Sequence, residues 1–272
     1  MTVKKVPLTL NGAAPDCALK AYLPDNSSEV EQKRLRPTVI LCAGGGFGFR
    51  SFREEEPIAL RLAAMGMNAA VLAYSIEPVR FPAQLLQLFC AIAEVRREQK
   101  RWNADPDKII VAGFSAGGHI AAEAGVFWDK PFYAEQLRLT PEDIRPNAMV
   151  LGYSVLTAGK FTHEASMKRL AGDDLDAKRD TLCLEKQVSA QTPPAFIWAT
   201  VTDQAVPVEN SLMFASALRQ HGVPFELHLF GAGPHGLSLA TDQVFAREDM
   251  LPPGADSVAL WPDLLHKWLK RL

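Results

Sequence analysis

The sequence predicts an α/β fold, with a central, mostly parallel sheet flanked by helices and carried by one domain spanning residues 1–272. Three observations lead there. Short unbroken runs of aliphatic and β-branched residues recur along the chain, as buried parallel strands require. Segments with helical spacing separate these runs, the alternation that puts helices on both faces of a sheet. Finally, 272 residues with 48% apolar and 22% charged side chains suit one large soluble domain with a sizeable core.

The elements follow in order. Residues 3–10 and 17–23 read as two short strands around the Asn11-Gly12 turn, and 24–36 as a polar surface loop. Pro37 to Cys42 is a buried strand that runs into the glycines 44–46. Residues 52–66 have helical spacing and stop at Gly66, and Ala69 to Tyr74 is the next strand. Phe81 to Trp102 carries the spacing of one long helix, with Leu85, Leu88, Phe89, Ile92 and Val95 on its apolar side. Residues 103–106 break the chain before a strand that ends at Gly113, and a helix follows to Phe127. Residues 128–147, rich in proline and charge, read as irregular, and Met149 to Val155 as a strand. Residues 157–194 are expected to form a small helical excursion that covers the site. Phe196 to Val201 and Phe225 to Phe230 are strands on either side of a helix from Asn210 to His221. Residues 256–271 make a closing amphipathic helix.

Composition excludes some classes of function. The net charge of −2 gives no electrostatic case for binding nucleic acid or an anionic membrane. Met1 to Pro7 lacks the apolar core of a signal peptide, and no apolar run is long enough to span a membrane. Cys17, Cys42, Cys90 and Cys183 are scattered without metal-type spacing. The expectation is a cytoplasmic, reduced protein without a metal, and a homo-oligomer is left open.

Gly113-Phe114-Ser115-Ala116-Gly117 lies between a strand and a helix. A serine there sits on a sharp, strained turn that lifts its hydroxyl above the sheet edge, provided the flanking residues are small. A Gly-rich strand-to-helix turn can equally bind phosphate, so the other parts of a catalytic machine must decide. Three consecutive glycines after a buried strand suit a loop whose N–H groups approach a developing oxyanion. No Lys-Ser or Lys-Thr follows them, as a phosphate cradle requires. Gly45, Gly46 and Ala116 are the expected oxyanion donors.

Serine needs a base, and six histidines compete. His119 follows Ser115 on the same helix, where the ring rarely reaches back. His221 and His266 belong to helices, and His228 to a strand. His235 stands in a Gly-rich loop directly after a strand, at the sheet end where α/β sites collect. Asp203 also directly follows a strand, whereas Glu209 and Asp242 do not. A helix-capping turn is the alternative role for Asp203. Ser115, Asp203, His235 is a workable chain order for nucleophile, acid and base. Phe47 and His163 are candidate substrate contacts, with packing or surface positions as the alternative.

With these residues placed, the chain resembles the α/β-hydrolase superfamily over nearly its whole length. More narrowly it resembles the bacterial acetylesterase and xylan-esterase-like branch. The likeness rests on Gly113 to His119, Ala43 to Phe47, Thr192-Pro193-Pro194, Asp203 to Leu212, and Pro234-His235-Gly236-Leu237. Two departures from hormone-sensitive-lipase-like relatives stand out. Ala43 takes the place of the histidine in His-Gly-Gly-Gly, so the loop must be held differently. Tyr74-Ser75-Ile76-Glu77-Pro78 replaces Tyr-Arg-x-Ala-Pro. The resemblance implies a small-molecule ester substrate, no cofactor, and hydrolysis of short acyl esters, acetylated sugars among them. A serine peptidase or acylaminoacyl-type hydrolase shares the order of residues. A ligand receptor on a hydrolase scaffold is the non-enzymatic alternative.

Overall fold

The aliphatic runs assemble into one eight-stranded sheet in a computed structural model that describes residues 1–246 and 250–272. The strands are β1 (Thr2–Leu8), β2 (Cys17–Leu23), β3 (Arg36–Cys42), β4 (Asn68–Leu72), β5 (Ala104–Phe114), β6 (Ala148–Gly152), β7 (Ala195–Thr200) and β8 (Phe225–Phe230). Their spatial order is β1-β2-β4-β3-β5-β6-β7-β8. The pairs β1–β2 and β2–β4 are antiparallel and the rest are parallel.

Side-chain alternation along each central strand feeds two separate cores. Ile40, Ile109, Val111 and Ile197 face one side, which is packed by α2 (Ala83–Arg97) and α4 (Ala116–Phe127). Val39, Leu41, Ile110, Phe114 and Trp198 face the other side, covered by α1 (Glu56–Ala64) and the C-terminal α11 (Trp261–Leu269). On this second face Trp261 stacks on Trp198 at 5.5 Å and meets Phe114 at 5.6 Å. Its indole N–H donates to the Ser238 carbonyl at 2.8 Å. Removing so large a buried ring leaves a cavity and an unpartnered carbonyl. Trp261→Ala is therefore expected to cost about 3–5 kcal/mol, read as a lower midpoint in urea unfolding with the slope unchanged. A loss below about 1 kcal/mol contradicts this packing.

Some boundaries differ from expectation for local reasons. The long helix is two: α2 ends at a cap on Glu98, and α3 (Gln99–Trp102) is closed by Asn103 in the left-handed region. The break at 103–106 is shorter than expected, because Ala104 already pairs with Arg36 across a bulge. Residues 128–147 are not irregular throughout. They hold α5 (Pro131–Gln136) and α6 (Pro141–Ile144), and the prolines there start helices. Thr140 and Asp143 form a reciprocal capping box on α6. The strand expected to reach Val155 stops at Gly152, since Tyr153 takes φ +36°. The excursion contains α7 (Glu164–Ala171) and α8 (Leu175–Leu182), and α9 (Glu209–Gln220) follows β7. The closing helix is divided into α10 (Ala255–Val258) and α11. No described helix is long and apolar enough to cross a membrane.

Candidate active site

Ser115 sits between the end of β5 and the start of α4, with φ +52° and ψ −123°. Crowding holds this strained turn. A Cβ on Gly113 would lie 2.2 Å from the Gly117 carbonyl oxygen, and one on Gly117 2.1 Å from the Cys42 carbonyl oxygen. Only glycine lets the helix fold back this closely on β5 and β3. The Ser115 N–H donates to the Gly152 carbonyl at 3.1 Å, and the Ser115 carbonyl accepts from the N–H groups of Gly118 and Val155.

His235 and Asp203 come from the loops after β8 and β7. His235 Nε2 is 2.7 Å from Ser115 Oγ, and His235 Nδ1 is 2.7 Å from Asp203 Oδ2. The other Asp203 oxygen accepts the backbone N–H groups of Ala205 and Val206 at 2.9 and 3.0 Å. Asp203 is only 5% exposed. Three donors on its two oxygens fix the direction of this carboxylate. It makes Nδ1 of His235 the protonated nitrogen and leaves Nε2 free to accept.

The glycine loop passes over Ser115. Gly45 has φ +124° and Gly46 φ +60°. Neither of their N–H groups has a protein partner among the described residues. Both line a cleft of about 290 Å³ with Ser115, His235 and His163. Ala116 is the first residue of α4, so its N–H has no acceptor within the helix. Gly45 and Gly46 thus share the cleft with the nucleophile, and Ala116 adjoins it in the chain. His163 is half-buried, and its Nδ1 lies 2.7 Å from Ser166 Oγ. Burial, followed by the nearby His235, holds its imidazole below the usual histidine range, so it is largely neutral at pH 7.

Phe47 is a correction. It is fully buried and packs edge-on against Tyr74, with centroids 6.4 Å apart. Its φ of +61° turns the ring away from the cleft and into the core. His119, set aside as a base, is buried and places Nδ1 2.9 Å from the Val155 carbonyl.

Three charged cleft residues escaped the sequence reading: Arg53, Glu54 and Arg169. The Arg169 guanidinium lies 3.3 Å from Glu77 and approaches the Gly46 carbonyl. Glu54 accepts from Gly44 N–H and from the Tyr153 hydroxyl. Burial pushes its carboxyl above the usual range, against the opposing pull of those two hydrogen bonds and of His235. The run FREEEP read only as the start of a helix, and nothing local marked one of its glutamates as buried. Among the described residues no cluster of three or more His, Cys, Asp or Glu could hold a metal ion. A larger cavity, about 490 Å³, lies around Leu10, Cys90, Arg97 and Leu139 and contains neither Ser115 nor His235. Burial pushes the Cys90 thiol up to about 11, which leaves it unreactive at neutral pH.

Known proteins are similar to this chain in sequence and fold. The BD-FAE family model matches residues 19–218. The chain is similar to the carboxylesterase Cest-2923 from Lactobacillus plantarum WCFS1, with 34% identity and a TM-score of 0.87 over 100% of this chain and 98% of that one. It is also similar to an acetyl ester-xyloside bifunctional hydrolase from Caldicellulosiruptor lactoaceticus, with 39% identity and a TM-score of 0.82 over 98% and 96%. Acetylxylan esterase from Xylanibacter ruminicola is 27% identical over 88% of this chain and 47% of its own length. Endo-1,4-beta-xylanase B from Butyrivibrio fibrisolvens is 36% identical over 78% of this chain and 34% of its own length. The chain thus spans between a third and a half of these two curated relatives. The family match over most of the chain, and solved relatives matched from end to end, show that this chain belongs to the BD-FAE family of carboxylic ester hydrolases with the α/β-hydrolase fold.

Proposed function

We propose that this chain is a serine carboxylesterase that removes short acyl groups, acetyl foremost, from small hydroxylated molecules such as acetylated sugars. The unbroken chain from Ser115 through His235 to Asp203, at 2.7 Å per step, carries the reading. Ser115 Oγ attacks the ester carbonyl carbon while His235 Nε2 takes its proton. The carbonyl π pair moves onto oxygen, which the N–H groups of Gly45, Gly46 and Ala116 receive. Collapse re-forms the carbonyl, breaks the bond to the alcohol and leaves acyl-Ser115. The His235 imidazolium protonates the departing alkoxide, and Asp203 stabilises that cation. Water, deprotonated by the same nitrogen, then releases the acid and restores Ser115.

The size of the cleft supports a short acyl group. About 290 Å³ is at the lower end of what small-molecule sites offer. An acetylxylan esterase and an acetyl ester-xyloside hydrolase among the similar proteins support acetylated sugars. The test is a series of p-nitrophenyl esters from acetyl to decanoyl, with acetylated xylo-oligosaccharide alongside. We expect kcat/KM to be highest at acetyl and to fall about tenfold or more by octanoyl, since each excess methylene must find space the cleft lacks. A maximum at long chains overturns the short-acyl reading. Cleavage of peptide amides but not esters replaces it with a peptidase.

A further inference from the structure

The loop that carries the expected oxyanion donors opens with Ala43-Gly44-Gly45-Gly46, which have no polar side chain of their own to hold it. Two side chains grip it from outside. The Tyr74 hydroxyl donates to the Ala43 carbonyl at 2.6 Å, and the Gly44 N–H donates to Glu54 Oε2 at 2.5 Å. That carbonyl and that N–H belong to one peptide group. With its oxygen and its nitrogen both fixed, the peptide plane cannot rotate, and the Gly45 and Gly46 N–H groups are aimed by what precedes them.

Glu54 also grips the opposite wall. Its Oε1 accepts the Tyr153 hydroxyl at 2.7 Å, and that hydroxyl accepts the Ser238 N–H at 3.0 Å. Ser238 lies three residues after His235, and the Tyr153 ring meets the His235 ring edge-on at 5.1 Å. The Ser238 hydroxyl donates back to the Arg53 carbonyl, next to Glu54 in the chain. A Cβ on Gly44 would lie 2.7 Å from Glu54 Oε2 and 2.8 Å from Ser115 Cβ, so carboxylate, loop and nucleophile are in direct contact.

We infer that Glu54 is a positioning residue for ester hydrolysis. Its one carboxylate, shared between the Gly44 N–H and the Tyr153 hydroxyl, holds the oxyanion loop and the histidine loop in register over Ser115. The inference rests on the esterase reading above. A buried carboxylate is a costly way to obtain stability alone, because an apolar residue of similar volume stabilises as well or better. What it supplies is two acceptor oxygens at a fixed spacing, each meeting a donor from a different loop. Replacing it with glutamine keeps the volume and, with the amide oxygen on the Gly44 N–H, turns the N–H₂ toward Tyr153, whose hydroxyl already accepts the Ser238 N–H and is left with no acceptor for its own proton, so that grip is weakened.

The test is Glu54→Gln in the full chain, assayed on p-nitrophenyl acetate. A positioning role predicts that kcat falls about 10- to 100-fold while KM stays within about threefold. Affinity for a trifluoromethyl ketone, whose adduct carries the oxyanion, falls by the same factor as kcat/KM. A purely structural role lowers the melting temperature and leaves kcat and ketone affinity unchanged, and that result overturns the inference. Tyr153→Phe covers the case in which the first variant fails to fold. It keeps the Gly44 bond and should lose about 3- to 10-fold in kcat at unchanged KM. An unchanged kcat in that variant also overturns the inference. The two readings separate on the unmutated protein. If it neither hydrolyses the ester nor is labelled at Ser115 by an organophosphate, the esterase reading falls and takes this inference with it. An active protein whose Glu54→Gln form stays within about twofold refutes the role of Glu54 alone.

Discussion

Replacing Ser115 by alanine lowers kcat on p-nitrophenyl acetate by about 10,000-fold or more, while the melting temperature stays within a few degrees of the original. The hydroxyl is the only atom removed, and its recorded hydrogen bond is the 2.7 Å contact with His235. Without it the site has no nucleophile, and the remaining N–H groups can only polarise a carbonyl for attack by water, which accounts for the residual rate. The fold does not notice. The turn at residue 115 is fixed by backbone bonds to Gly152, Gly118 and Val155 and by the close approach of Gly113 and Gly117. Parallel rate and melting measurements check both halves. A variant that keeps a tenth of the original rate removes Ser115 from the mechanism.

Asp203→Asn is the second large effect, a loss of about 1,000- to 10,000-fold in kcat with little change in KM. Both Asp203 oxygens are occupied, one by His235 Nδ1 and one by the N–H groups of Ala205 and Val206. An asparagine can serve only one side. If its N–H₂ faces His235, it selects the tautomer with the proton on Nε2, which cannot then take a proton from Ser115. If its oxygen faces His235, the N–H₂ points at two backbone donors and the side chain is driven from its place. Either arrangement also leaves the imidazolium of the transition state without a counter-charge. Steady-state kinetics with matched circular dichroism decide the matter. A loss under about tenfold assigns the acid role elsewhere.

What could be read from the chain depended on how local the signal was. The juxtaposition of Ser115, Asp203 and His235 was legible because each lies just past the C-terminal end of a strand, and parallel strands bring such positions to one edge of the sheet. The sheet was legible because buried strands need unbroken apolar runs. Glu54 was not, since Glu54, Glu55 and Glu56 are adjacent and identical in type. Only tertiary packing turns the first of them inward, to meet a glycine ten residues before it and a tyrosine 99 residues after it. Packing, the alternative to substrate contact, is what the structure shows for Phe47. Its ring is fully buried in the core against Tyr74, a contact that links residues 27 positions apart and leaves no local mark in the sequence. The helices within 128–147 were hidden by their own prolines, which break a helix in its interior yet begin one at its first turn.

The strained backbone at residue 115 has a further consequence. Because φ +52° is imposed by the surrounding glycines and main-chain bonds, that position acts as a socket whose contents are independent of its shape. A different side chain, such as the thiol of Ser115→Cys, would project toward His235 from the same Cβ position. The side chain at this position can therefore change without changing the turn, whereas any change at Gly113 or Gly117 closes the socket itself. Variation within such a fold is then expected to accumulate in the loops that choose the substrate, while the glycines beneath the nucleophile stay fixed.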